Sequence, residues 1–135
     1  MRAISALVLS CTLATSPALA DAQFWDVNLA TIQKVDAEVA KLNFKGVCPP
    51  MRIAEFGRYY GGFTEPSGRR VIVGQLRSLK TLGHPLRPNY PPEAEEGIHI
   101  VHGSPIGIMD GGCSVANVWF DADTLKLVQA VWGGR

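Results

Sequence analysis

The chain has 135 residues, 13 of them basic and 12 acidic, for a formal net charge of +1; 47% are hydrophobic and 19% charged. This is ordinary composition for a soluble globular protein, and the length suits one small domain built on one core. The near balance of charge makes the chain a poor candidate for holding a polyanion by bulk electrostatics.

Residues 1–20, MRAISALVLSCTLATSPALA, read as a cleaved secretory signal peptide. Arg2 supplies the positive start, Ala3 to Leu13 carries no charge, Pro17 breaks the helix, and Ala18-Leu19-Ala20 is a small-x-small cleavage site. The apolar stretch falls short of the roughly 20 residues that span a bilayer. The expectation is export to the periplasm or the extracellular space, with no stable membrane insertion after cleavage. Val8-Leu9-Ser10-Cys11 weakly matches a lipoprotein processing site, but the apolar run before Cys11 is short, so cleavage after Ala20 is preferred. Loss of Arg2 leaves 12 basic and 12 acidic residues over 21–135, a formally neutral single α+β domain.

Asp21 to Asn43 is predicted as one long helix. Ile32, Val35, Val39 and Leu42 recur at three- and four-residue spacing, with Trp25 and Leu29 extending the stripe. Asp21 and Asp26 near the start and Lys41 and Lys45 near the end suit the helix dipole. Gly46 is the expected cap, and Pro49-Pro50 prevents continuation. Asp26, Asp36 and Glu38 make the other face acidic, which favours packing on a sheet over lying on a membrane.

Arg52 to Phe56 fits either a strand or one helical turn. Arg58 to Phe63 and Arg69 to Leu76 are predicted as a hairpin around Glu65-Pro66-Ser67-Gly68, with Gly74 marking a bulge. Thr81 to Gly97 carries Pro85, Pro88, Pro91 and Pro92 and reads as a long surface connection with one helical turn at Pro92 to Glu96. Ile98 to Val101 is a short strand and Gly103 to Gly112 a loop. Cys113 to Phe120 and Leu125 to Trp132 form a second hairpin around Asp121-Ala122-Asp123-Thr124. Its two faces are both largely apolar, which places it centrally in the sheet.

Cys48 and Cys113 remain after signal cleavage. Exported cysteines tend to be oxidised, so a Cys48–Cys113 disulfide is expected. It would close a loop of about 65 residues, worth roughly 4 kcal/mol in the chain-entropy model. The rival is an envelope enzyme with a Cys113 nucleophile and His99 or His102 as base; such a thiol needs a lowered pKa and a base in contact.

No metal site, catalytic residue or cofactor is expected. His99 and His102 lie three apart and would face opposite sides of a strand. Glu93, Glu95 and Glu96 read as a solvated cluster, and the glycines of Gly103 to Gly112 match no phosphate-loop spacing. Tyr59, Tyr60 and Phe63 beside Arg58, Arg69 and Arg70 suggest base stacking, but export argues against nucleic acid as a partner.

Charge is segregated. Residues 45–90 hold eight basic side chains against Glu55 and Glu65, whereas residues 91–135 hold six acidic ones against Lys126 and Arg135. The preferred reading is mutual neutralisation between paired strands; the sharper one is a basic face for an acidic partner.

Pro88-Asn89-Tyr90-Pro91-Pro92-Glu93-Ala94, followed by a glycine-initiated hairpin with a D-x-D turn at Asp121 and Asp123, resembles the C-terminal domain of TonB-type energy transducers. In that family a P-x-Y-P-x-x-A segment precedes a glycine and two strands. The likeness covers under half of residues 21–135 and implies an accessory subunit of an envelope complex. The separation of Ala94 from Gly112 is longer than the family pattern, and a cleaved signal stands where that family has a membrane anchor.

The expected fold is α+β: one long N-terminal helix on an antiparallel sheet of four or five strands, stapled by Cys48–Cys113. The expected function is non-enzymatic binding of another envelope protein, as an inhibitor or immunity-type partner would do. Contact would come from the loops Thr81 to Gly97 and Gly103 to Gly112. Candidate binding residues are Arg58, Tyr60, Arg69, Arg70, His84, Tyr90, His102 and Met109.

Overall fold

The computed structural model describes residues 23–44, 48–80, 94–107 and 111–133. Residues 1–22 with Cys11, Gly46, residues 81–93 of the proline-rich connection, and Met109 lie outside them.

The N-terminal element is shorter than its apolar spacing suggested. Phe24–Trp25 form a strand, β1, and the helix α1 covers Leu29–Val39, 11 residues. Two local forces set that boundary. The aromatic pair finds ladder partners, Phe24 opposite Phe63 and Trp25 opposite Gly62. Asn28 then caps the helix, its side-chain oxygen accepting the Thr31 N–H at 2.8 Å. Ile32, Val35 and Val39 are buried, whereas Leu29 is 53% exposed and Trp25 sits in the strand.

Five further strands follow: β2 (Phe56–Thr64), β3 (Arg70–Ser78), β4 (Gly97–Ile100), β5 (Val115–Asp121) and β6 (Leu127–Trp132). Short 3-10 turns at Ile53–Glu55 and Gly112–Ser114 lead into β2 and β5. The antiparallel path runs β1-β2-β3-β5-β6. β4 joins the β1 edge of β2 in parallel, Gly57 opposite Gly97 through Tyr60 opposite Ile100. Among the described residues the sheet thus has six strands and one parallel pair.

The β2–β3 hairpin turns where expected. Glu65 and Arg69 close it, Gly68 N–H donates to Glu65 O at 2.8 Å, and Gly68 takes φ +88. Gly74 is no bulge; it stays in register with Tyr60, and a Cβ there would stand 2.7 Å from the Tyr60 ring. The irregularity lies between Trp119 and Phe120 instead. Of the C-terminal hairpin only β5 is central. β6 forms the sheet edge, with Leu127 and Val128 exposed.

Alternation divides the sheet. α1 packs on the face carrying Phe56, Tyr60, Ile72, Leu76, Val118 and Phe120, which with Val35 and Val39 form the core. Asp36 belongs to this interface rather than to a solvated helix face: it accepts from Arg58 Nε (2.9 Å) and Nη2 (3.2 Å) and from the Tyr60 hydroxyl (2.6 Å). The Cys48–Cys113 disulfide forms as expected, with Cα atoms 5.4 Å apart, tying the segment after α1 to the turn before β5.

Candidate functional site

The sheet face away from α1 carries Tyr59, Gly61 and Phe63 of β2, Val73, Gln75 and Arg77 of β3, and Asn117 and Trp119 of β5, by strict alternation along each register. The segment 103–107 crosses it. Gly61 permits this crossing, because a Cβ there would run into the Gly103 carbonyl oxygen.

Polar contacts fix the crossing segment. Arg77 Nη2 donates to Pro105 O at 3.2 Å, and Gly107 N–H reaches Gln75 Oε1 at 3.4 Å. Gln75 and Asn117 are 0% and 1% exposed, and Gln75 Nε2 donates to Asn117 Oδ1 at 2.8 Å. Gln75 Oε1 also accepts from Arg77 Nε at 2.9 Å. Buried amides cost free energy unless their hydrogen bonds are made, so this network specifies where 103–107 lies.

On one side of the crossing lies an apolar pocket of about 180 Å³. Phe24, Phe63, Val73 and Trp119 form its walls, Gly61 its floor, and Gly103, Ser104 and Ile106 its rim. The Phe24 and Phe63 rings tilt against each other with centroids 5.8 Å apart. A cavity of about 150 Å³ accepts benzene, so the pocket has room for one phenyl or branched aliphatic group.

On the other side stands an aromatic stack. His99 lies on Tyr59 with centroids 4.9 Å apart, and the Arg77 guanidinium sits 4.5 Å from the Tyr59 centroid. His99 Nε2 lies 3.1 Å and 3.0 Å from the carbonyls of Glu95 and Glu96, so this nitrogen carries the hydrogen and donates. The Tyr59 hydroxyl accepts the Glu95 N–H at 2.8 Å. Burial pushes the Arg77 guanidinium below its ordinary pKa.

Five of the eight candidate binding residues are described, and those five do not gather at one place. Arg58 and Tyr60 meet at Asp36 on the helix side, where burial and then the Asp36 carboxylate push the Tyr60 hydroxyl far above its ordinary pKa. Arg69 pairs with Asp121 at 3.1 Å beside the last turn, and Arg70 covers the Trp25 ring at 3.9 Å. His102 Nδ1 meets Asp26 at 2.8 Å in the open. His84, Tyr90 and Met109 lie outside the described residues. Neutralisation across the chain halves thus holds for Arg69–Asp121, while Arg58 and Lys80 find acids nearer by, Asp36 and Glu55.

Compared with protein-family models, curated proteins and solved structures, the chain matches none of them at a significant level. Its chemistry rests on its own geometry. The Cys113 sulfur is bonded to Cys48 and offers no thiolate, and His99 is committed to Tyr59 and two carbonyls. Among the described residues no helix is long and apolar enough to cross a membrane.

Sequence reasoning missed Tyr59, Gln75, Arg77 and Asn117 as one group. The signal was present: Val71, Val73, Gln75 and Arg77 share one face of β3, and two large polar groups there break an apolar alternation. Seeing them meet Asn117 required the β3–β5 register, Gln75 opposite Asn117.

Proposed function

We propose that this chain is an exported, non-enzymatic protein-binding domain acting on another cell-envelope protein, in the manner of an inhibitor or immunity-type partner. The pattern of residues 1–20 supports passage out of the cytoplasm, and the Cys48–Cys113 bridge suits an oxidising compartment. The observation that carries the binding reading is the apolar pocket beside the crossing segment 103–107. Its walls are aromatic and aliphatic, and aromatic-lined hollows are where partner anchor side chains insert. The partner would place one phenyl or branched aliphatic side chain between Phe63 and Trp119, against Ile106.

The test is recovery of a partner by tagged protein after chemical crosslinking in the cells that make it. Wild type and the helix-surface variant Lys34→Ala should recover the same discrete envelope protein. Ile106→Asp, which puts a carboxylate on the pocket rim, should lose it while keeping the wild-type melting temperature within a few degrees. Equal recovery by all three, or none by wild type, overturns the reading.

A further inference from the structure

We infer that Arg77, seated on Tyr59, is a receptor for a single carboxylate on the sheet face opposite the helix. Arg58 and Arg69 each meet an aspartate and Lys80 a glutamate. Arg77 meets no carboxylate among the described residues. Its two hydrogen-bond acceptors, Gln75 Oε1 and the Pro105 carbonyl, are both neutral. A half-buried cation without a counter-charge costs free energy, and a bound anion would offset that cost.

The geometry suits that task. A guanidinium has five N–H donors. Nε and Nη2 spend one each on Gln75 and Pro105, which leaves both hydrogens of Nη1 and one of Nη2. Those donors allow the two-point contact that carboxylates make with arginine. The group is also held in place before any ligand arrives: it lies over the Tyr59 ring, on which His99 also stacks, and fully buried Gln75 accepts its Nε–H. Such preorganisation lowers the entropic cost of binding. One cation matches one negative charge, so a monoanionic carboxylate fits, whereas a dianionic phosphate would bring an unpaired charge into a partly dehydrated site.

Arg77 does not line the apolar pocket, and its ligand does not depend on which protein partner is seated there. A small free acid and an acidic peptide side chain both present the group. The test is NMR titration of ¹⁵N-labelled, disulfide-intact protein, following the Arg77 Nε–H and Gly107 N–H signals. Sodium acetate should shift both saturably, and sodium chloride at equal ionic strength should not. Arg77→Lys keeps the charge without the fork and should weaken acetate binding by about tenfold or more. A blocked peptide with one Glu that binds more tightly than acetate, against a Gln-substituted control, points to a peptide source; equal affinity points to a free acid. Shifts that never saturate, that chloride reproduces, or that persist undiminished in Arg77→Lys overturn the inference. The acetate-against-chloride comparison on wild type decides it even if the variant does not fold.

Discussion

Asp36 is the point at which the helix is electrostatically fastened to the sheet, and its removal gives a magnitude that can be worked out. Its carboxylate takes two hydrogen bonds from Arg58 and one from the fully buried Tyr60. The Arg58 and Asp36 side chains are 14% and 13% exposed. Taking one partner from a buried pair costs about 3–5 kcal/mol. Arg58 retains 3.3 Å contacts to the Ile53 and Phe56 carbonyls, which puts its share at the low end. The orphaned Tyr60 hydroxyl adds about 1 kcal/mol. Asp36→Ala should therefore destabilise by about 4 kcal/mol. Tyr60→Phe, which removes a donor but leaves the ion pair, should cost about 1 kcal/mol. In the double variant the hydroxyl is no longer orphaned, so the combined loss should fall about 1 kcal/mol or more short of the sum. Urea unfolding of the oxidised protein measures all three, with the slope checked for constancy. A loss under about 1 kcal/mol for Asp36→Ala, or strict additivity, refutes the fastening argument.

Alkaline pH probes the same hub. The Tyr60 pKa is raised in the folded state by burial and by Asp36, so its contribution is complete below about pH 10, the unfolded value, and is lost as pH climbs beyond it. Stability against pH should fall less steeply above pH 10 in Tyr60→Phe than in wild type. Acid probes the last turn. Backbone N–H donation from Thr124 comes first, and the Arg69 contact and the Asp123 N–H add to it, holding the Asp121 pKa down. That contribution is present above about pH 4 and is lost as pH falls through the depressed value; the stability gap between wild type and Asp121→Asn should close on acidification, as read by chemical unfolding at a series of pH values. Replacing Cys48 and Cys113 together by alanine releases a loop of 65 residues' separation, and the melting temperature should fall by an amount equivalent to about 4 kcal/mol. An unchanged melting temperature would remove the bridge from any account of stability.

Features set by neighbouring residues were legible in the sequence. Glu65-Pro66-Ser67-Gly68 announced the β2–β3 turn and Asp121 to Thr124 the last one; the disulfide, though it joins residues 65 apart, was legible because a signal-peptide reading leaves two cysteines to pair. Where distant residues decide the outcome, local pattern misled. Trp25 fits a helical stripe, yet pairing with Gly62 draws it into a strand before Asn28 starts the helix. Gly74 looks like a bulge because the side chain filling its place, Tyr60, comes from another strand. Asp36 looks solvated because Arg58 lies 22 positions away. The polar group behind the candidate site was hidden for the same reason, since Gln75 and Asn117 become neighbours only through the β3–β5 register.

The binding reading meets its most direct test in site-specific photo-crosslinking within the intact cell envelope. A photoreactive residue at Ile106, on the pocket rim, should yield one discrete adduct with an envelope protein, its attachment point an apolar side chain. The same residue at Lys34, on the exposed surface of α1, should yield none. Equal adducts from both positions, or none from Ile106 in protein that folds and keeps its disulfide, would contradict a partner seated on that face of the sheet.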